Sequence, residues 1–262
     1  MRKIVVLVDF SSVSDVAIAH AAAVVEKTDS TLTLLHIAPA GTEAEKQGIE
    51  QEMLERAQQL ISDNIPFEVQ VDFGDFYEKI ATSLDALQTY AVVVGTHAMR
   101  GRKRNLYSDN IVRLIKSLNC PTLVVQGHLN VKPGLYKNIM IPVLGKVEGI
   151  AHIDMIAEYA RGMNSNLHIL NFVNSDHESD DSCKEKLIEQ FANLGVEIEF
   201  TTQYTAPQTE NYGLVIEELA HAANSDLIVW TKALGAHAKQ MSESNKVNLI
   251  LNKYGIPALL ML

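Results

Sequence analysis

The sequence predicts an α/β protein built from two tandem doubly wound domains, each a five-stranded parallel sheet flanked by helices. Three observations carry this. Short apolar runs occur twice in the same order, at an offset of 135 or 136 residues. Each run is nearly continuous in Val, Ile and Leu, as expected of strands covered on both faces. Between the runs lie segments whose apolar residues recur at helical spacing.

The first strand is Ile4–Val8, echoed by Ile139–Val143. The helix after it carries Val16, Ala17, Ala21, Val24 and Val25 on one stripe, and Ser12 with Asp15 reads as its capping box. The second strand is Leu32–Ala38, echoed by Leu167–Val173. Its helix keeps Ile49, Met53, Leu54, Ala57, Leu60 and Ile61 in phase. A weaker run, Phe67–Val71, supplies the third strand, and Val196–Phe200 does so in the second half. Ile80, Leu84 and Leu87 mark the third helix. The fourth strand, Ala91–Gly95, is echoed by Leu227–Thr231. Ile111, Leu114, Ile115 and Leu118 give the fourth helix, and Cys120–Val125 the last strand, echoed by Ile256–Met261. In the second half Leu187, Ile188, Phe191 and Leu194 mark the second helix. The order βαβαβαβαβ implies a parallel sheet with right-handed crossovers. A period this long means a duplicated domain and not a solenoid. The expected boundaries are 1–127 and 136–262, with 128–135 as a linker containing Asn130, Pro133 and Gly134.

Composition narrows the function. The chain has 262 residues and a formal net charge of −10. That argues against a sequence-independent nucleic-acid binder, which needs a basic surface to displace counterions. Two cysteines, Cys120 and Cys183, cannot make a disulfide framework or a four-thiolate zinc site. The apolar run near the amino terminus is five residues long, too short for a signal-peptide core or a membrane span. A cytoplasmic protein without a membrane partner is expected.

Open α/β sheets bind ligands beyond the carboxyl ends of their strands, at the switch point of strand order. After the first strand comes Asp9-Phe10-Ser11-Ser12; after the second, His36-Ile37-Ala38-Pro39. After the fourth comes Gly95-Thr96-His97-Ala98-Met99-Arg100-Gly101-Arg102-Lys103-Arg104, running on to Ser108, Asp109 and a helix. An acid at one strand end can hydrogen-bond a ribose or a base amine. A glycine-containing loop entering a helix amino terminus can cradle phosphates. Together they point to a nucleotide.

These residues give the chain its resemblance to the universal stress proteins, in their tandem form. It rests on V-D-F-S at Val8–Ser11, L-L-H-I at Leu34–Ile37, V-V-V-G-T-H at Val92–His97 and C-P-T-L-V-V at Cys120–Val125, and extends over both halves. The resemblance implies the strand order 3-2-1-4-5 in each domain. It implies pairing through the last strand, here between the chain's own halves, with homodimers of whole chains also open. Some family members bind ATP through G-x-x-G, nine residues, then G-S or G-T. Gly95 matches the first glycine, Ala98 stands at the second, and Ser108 and Asp109 stand at G-S. Asp9 matches the acid at the adenosine end and Ile37 an adenine contact. Val94 stands where the family often has a methionine. The implied nucleotide-binding set is Asp9, Phe10, Ile37, Val94, Gly95, Thr96, His97, Ala98, Arg100, Gly101, Arg104, Ser108 and Asp109, with ATP or another adenine nucleotide as ligand.

The departures have physical weight. Asp109 puts a carboxylate where an anion would bind. Two like charges ~4 Å apart repel by about 1 kcal/mol in water and about 4 kcal/mol at an effective dielectric of 20. Arg100, Arg102, Lys103 and Arg104 could hold phosphates from the side, or lie as a solvated basic loop. In the second half Leu144 replaces the acid, and Thr231 and Leu234 replace the loop glycines, so no ATP site of the family kind is expected there. Ser244-Asn245 keeps a neutral, donor-rich entry to the last helix. Lys232, Lys239 and Trp230 could line a small pocket, though core packing suits Trp230 better.

Catalytic motifs of the G-x-S-x-G, H-E-x-x-H, C-x-x-C and Walker types are missing from the sequence. His36 and His168 read as satisfied polar groups near a sheet end. The run Ser175–Cys183 has metal-type ligands but lacks EF-hand spacing, and the sequence requires no metal. The expected function is non-enzymatic, a stress-response protein with an adenine-nucleotide site in its first half. The alternative is an interaction or scaffold protein whose two nucleotide sites are vestigial.

Overall fold

Parallel backbone hydrogen bonding builds the same sheet twice. The computed structural model describes residues 2–96, 113–115, 117–118, 120–127, 135–174, 181–205, 211–234, 237–238 and 242–261. The chain divides into two compact units, Met1–Pro133 and Gly134–Leu262.

In the first unit β1 (Arg2–Leu7), β2 (Ser30–Ala38), β3 (Phe67–Phe73), β4 (Thr89–Thr96) and β5 (Thr122–Gln126) lie in the order β3-β2-β1-β4-β5. Every neighbouring pair is parallel. Helices α1 (Ser12–Lys27), α2 (Glu43–Leu60) and α3 (Phe76–Ala86) make the crossovers, and Arg113, Leu114, Ile115 and Ser117 are helical ahead of β5. Val5, Val6, Leu34 and Val92 are wholly buried, as a sheet covered on both faces demands. The order reverses at β1 and β4, and their carboxyl ends form the switch point.

In the second unit β6 (Asn138–Lys146), β8 (Asn166–Asn174), β9 (Ile198–Thr205), β10 (Leu227–Thr231) and β13 (Ala258–Met261) repeat this as β9-β8-β6-β10-β13, again parallel. Its helices are α4 (Ile153–Met163), α5 (Asp181–Asn193), α6 (Tyr212–Ala222) and α7 (Glu243–Ile250). Three two-residue strands are additions the sequence did not announce. β11 (Ala233–Leu234) pairs antiparallel with β7 (Gly149–Ile150), and β12 (His237–Ala238) with the end of β6.

Local chemistry corrects two readings. The cap of α1 is Ser11, one residue earlier than expected; its Oγ accepts from the Ser14 N–H at 3.3 Å. Asp15 is then free to leave the cap, and its carboxylate takes both the Nε–H and an Nη–H of Arg56, tying α1 to α2. The capping box forms instead on α2, between Thr42 and Glu45. In α5, Leu187 and Phe191 are fully buried one turn apart, while Ile188 is 38% exposed because it points about 100° round the helix.

Candidate functional site

The carboxyl ends of β1, β2 and β4 converge on a cavity of about 320 Å³. Leu7, Val8 and Asp9 come from the end of β1, Leu35 and Ile37 from β2, and Val94, Gly95 and Thr96 from β4. Phe76, Tyr77 and Ile80 of α3, Ser14 of α1 and Leu114 complete the lining. Most of these groups are apolar. The few polar ones are grouped at the switch point, the usual arrangement of a small-molecule pocket.

Asp9 is the acid of the site. The Ser11 N–H and hydroxyl both donate to its Oδ1, at 3.0 and 2.5 Å. Burial by itself pushes this carboxyl up, but the bonds from the Ser11 hydroxyl and amide, with Ser14, outweigh it and hold the group below its ordinary value. Asp9 is therefore a carboxylate at neutral pH. Ser11 does two jobs: it caps α1, and its two bonds to Asp9 favour the ionised form of the acid.

Gly95 has a packing reason as well as a site reason. A Cβ there would stand 2.4 Å from the Val13 carbonyl oxygen and 2.7 Å from its carbon. The first turn of α1 thus lies directly on the end of β4, which brings Asp9 and Gly95 to the same cavity.

Five of the residues expected from sequence meet around this cavity: Asp9, Ile37, Val94, Gly95 and Thr96. Phe10 is not in its lining. Its backbone is left-handed (φ 62°) where the chain turns from β1 to α1, and its ring lies against His36, 5.0 Å between centroids. His36 in turn places Nδ1 2.7 Å from the Val8 carbonyl. His97, Ala98, Arg100, Gly101, Arg104, Ser108 and Asp109, with Arg102 and Lys103, lie outside the described residues. The sequence reading missed Ser14, Phe76, Tyr77 and Leu114. A signal for the aromatics existed: two adjacent rings directly after a Gly-Asp helix start at a strand end.

The matching corner of the second unit is filled. Leu144 replaces Asp9 and is 3% exposed. Phe172 replaces Ile37, is buried, and meets the Tyr212 ring edge-on at 5.7 Å. The chain beyond β10 folds back across the ends of β6 and β7, with Glu148 N–H donating to the Leu234 carbonyl at 2.7 Å and Ala151 N–H to that of Lys232 at 2.8 Å. The entry to the last helix, read as donor-rich, is used internally: buried Asn245 accepts the Gly213 N–H at 3.1 Å, joining α7 to α6. Trp230 is buried and Lys232 exposed; Lys239 and residues 175–180 lie outside the described residues. His168 Nε2 meets the Thr201 hydroxyl at 2.9 Å. Among the described residues no cluster of three or more His, Cys, Asp or Glu could hold a metal, and no helix is long and apolar enough to cross a membrane.

Fold and cleft together define a duplicated doubly wound α/β protein with a largely apolar cavity at the switch point of its first domain. Residues 1–126 match the model of the universal stress protein family, and the chain belongs to that family. A universal stress protein from Archaeoglobus fulgidus DSM 4304 superposes with a TM-score of 0.67 at 12% identity, covering 98% of this chain and 97% of that one. A protein of unknown function from Pseudomonas aeruginosa PAO1 gives 0.60 at 13%, covering 100% and 92%. The cytoplasmic domain of a prokaryotic cation chloride cotransporter gives 0.52 at 11%, covering 99% and 94%. At such identities the likeness concerns the fold alone, and function must be argued from the site. No curated protein matches the chain.

Proposed function

We propose that the protein is a non-enzymatic stress-response protein whose first domain binds an adenine nucleotide by its nucleoside end. The observation carrying this is a single ionised carboxylate, Asp9, at the edge of a largely apolar cavity at the switch point. A carboxylate there accepts hydrogen bonds from ribose hydroxyls or a base amine, while the apolar walls from β2, β4 and α3 cover the base. The second domain serves as a structural partner, because Leu144 and Phe172 occupy the space the acid and base would need.

The test is to denature the purified native protein and identify any released small molecule by mass spectrometry. ATP, ADP and AMP are then titrated into wild type and Asp9→Ala. Binding by wild type that Asp9→Ala weakens at least tenfold supports the reading. No binding at millimolar nucleotide would leave the scaffold reading, with both sites vestigial. Binding indifferent to Asp9→Ala would place the site elsewhere.

A further inference from the structure

The cavity has one wall that neither the acid nor the strand ends explain. Its α3 side carries two adjacent aromatic rings, Phe76 and Tyr77, and Phe76 is 43% exposed. The Phe76 ring is therefore open to solvent beside the cavity. The two rings meet edge to face, with centroids 5.3 Å apart and planes at 87°. On Tyr77, the Arg113 guanidinium carbon stands 4.1 Å from the ring centroid. Tyr77 lines the cavity, and Arg113 is not among the lining residues.

Tyr77 is thus fixed twice, on one face by a cation and at its flank by another ring. A ring whose orientation is set before the ligand arrives loses little freedom on binding. It lines a cavity whose strand-end walls are largely aliphatic, and the planar partner its π surface suits is a nucleobase. A cation over one face of a ring draws its electron density toward itself, which favours stacking with an electron-rich purine on the other face. Resting on the nucleotide reading above, we propose that Tyr77 is the base-stacking wall of the site and that Arg113 is the positioning residue that holds its ring.

The prediction concerns the base, so it applies alike to ligands with and without phosphate. Adenosine and AMP are titrated by calorimetry into wild type, Tyr77→Phe, Tyr77→Leu, Arg113→Ala and Arg113→Lys. Stacking is read separately from the fluorescence of bound 2-aminopurine riboside, which stacking quenches. Tyr77→Phe should bind within about threefold of wild type, whereas Tyr77→Leu should lose at least tenfold for both ligands, about 1.4 kcal/mol. Arg113→Ala should lose affinity and quenching, and Arg113→Lys should restore most of both. Should Tyr77→Leu fail to fold, the Arg113 pair carries the same test. If wild type binds while Tyr77→Leu binds and quenches equally, this proposal falls and the nucleotide reading stands. If wild type binds neither adenosine nor AMP at millimolar concentration, both fall.

Discussion

His20 should make the first domain acid-sensitive. It sits inside α1, 1% exposed, and burial lowers its pKa from 6.5 to about 4. Between those values the unfolded chain binds a proton that the folded chain refuses, so stability falls as pH falls through this window. The effect is small above pH 6.5 and complete once pH drops below about 4. At pH 5 the domain should have lost about 2 kcal/mol from this residue alone, at 1.36 kcal/mol per unit of pKa difference. The only tryptophan, Trp230, lies in the second unit and does not report on the first. Amide hydrogen exchange of β1 and α1 does. Wild type and His20→Gln are compared at pH 7 and pH 5, after correction for the intrinsic exchange rate. Wild type should lose about 2 kcal/mol more protection than the variant. Equal losses in both proteins, or a His20 imidazole that titrates near 6.5 by NMR, would refute the reasoning.

Other outcomes follow from the same geometry. Gly95→Ala forces a methyl group against the Val13 carbonyl and should cost about 1–3 kcal/mol in first-domain stability by hydrogen exchange, before any ligand is considered. Leu144→Asp should not create a second site; it buries an acid without a partner in the filled corner and should cost at least about 3 kcal/mol, read as a drop in the Trp230 unfolding midpoint in urea. Arg56→Ala removes the bidentate link to Asp15, a partly exposed pair, and should cost about 1 kcal/mol; a double-mutant cycle with Asp15→Asn measures the coupling.

The duplication and the strand order were legible because a parallel sheet buried on both faces writes itself as continuous Val, Ile and Leu. Asp9, Ile37 and Gly95 were legible because they sit directly after such runs, where the fold puts ligands. The cap of α1 slipped by one residue because three serines compete there, and Ser11 wins by serving Asp9 as well. The pairing of Tyr77 with Arg113 was missed because it crosses more than thirty residues and exists only once the helices pack. Nothing local in Phe172 or Tyr212 announces that their rings close the second corner. The strands β11 and β12 are two residues long and carry no periodicity.

The central claim is one adenine-nucleotide site per chain, in the first domain, anchored on Asp9. Calorimetric titration of AMP into the intact protein reads stoichiometry and affinity together, with Asp9→Ala as the paired variant. The account predicts one nucleotide per chain and at least a tenfold loss in Asp9→Ala. Two nucleotides per chain, or an affinity that Asp9→Ala leaves unchanged, would contradict it.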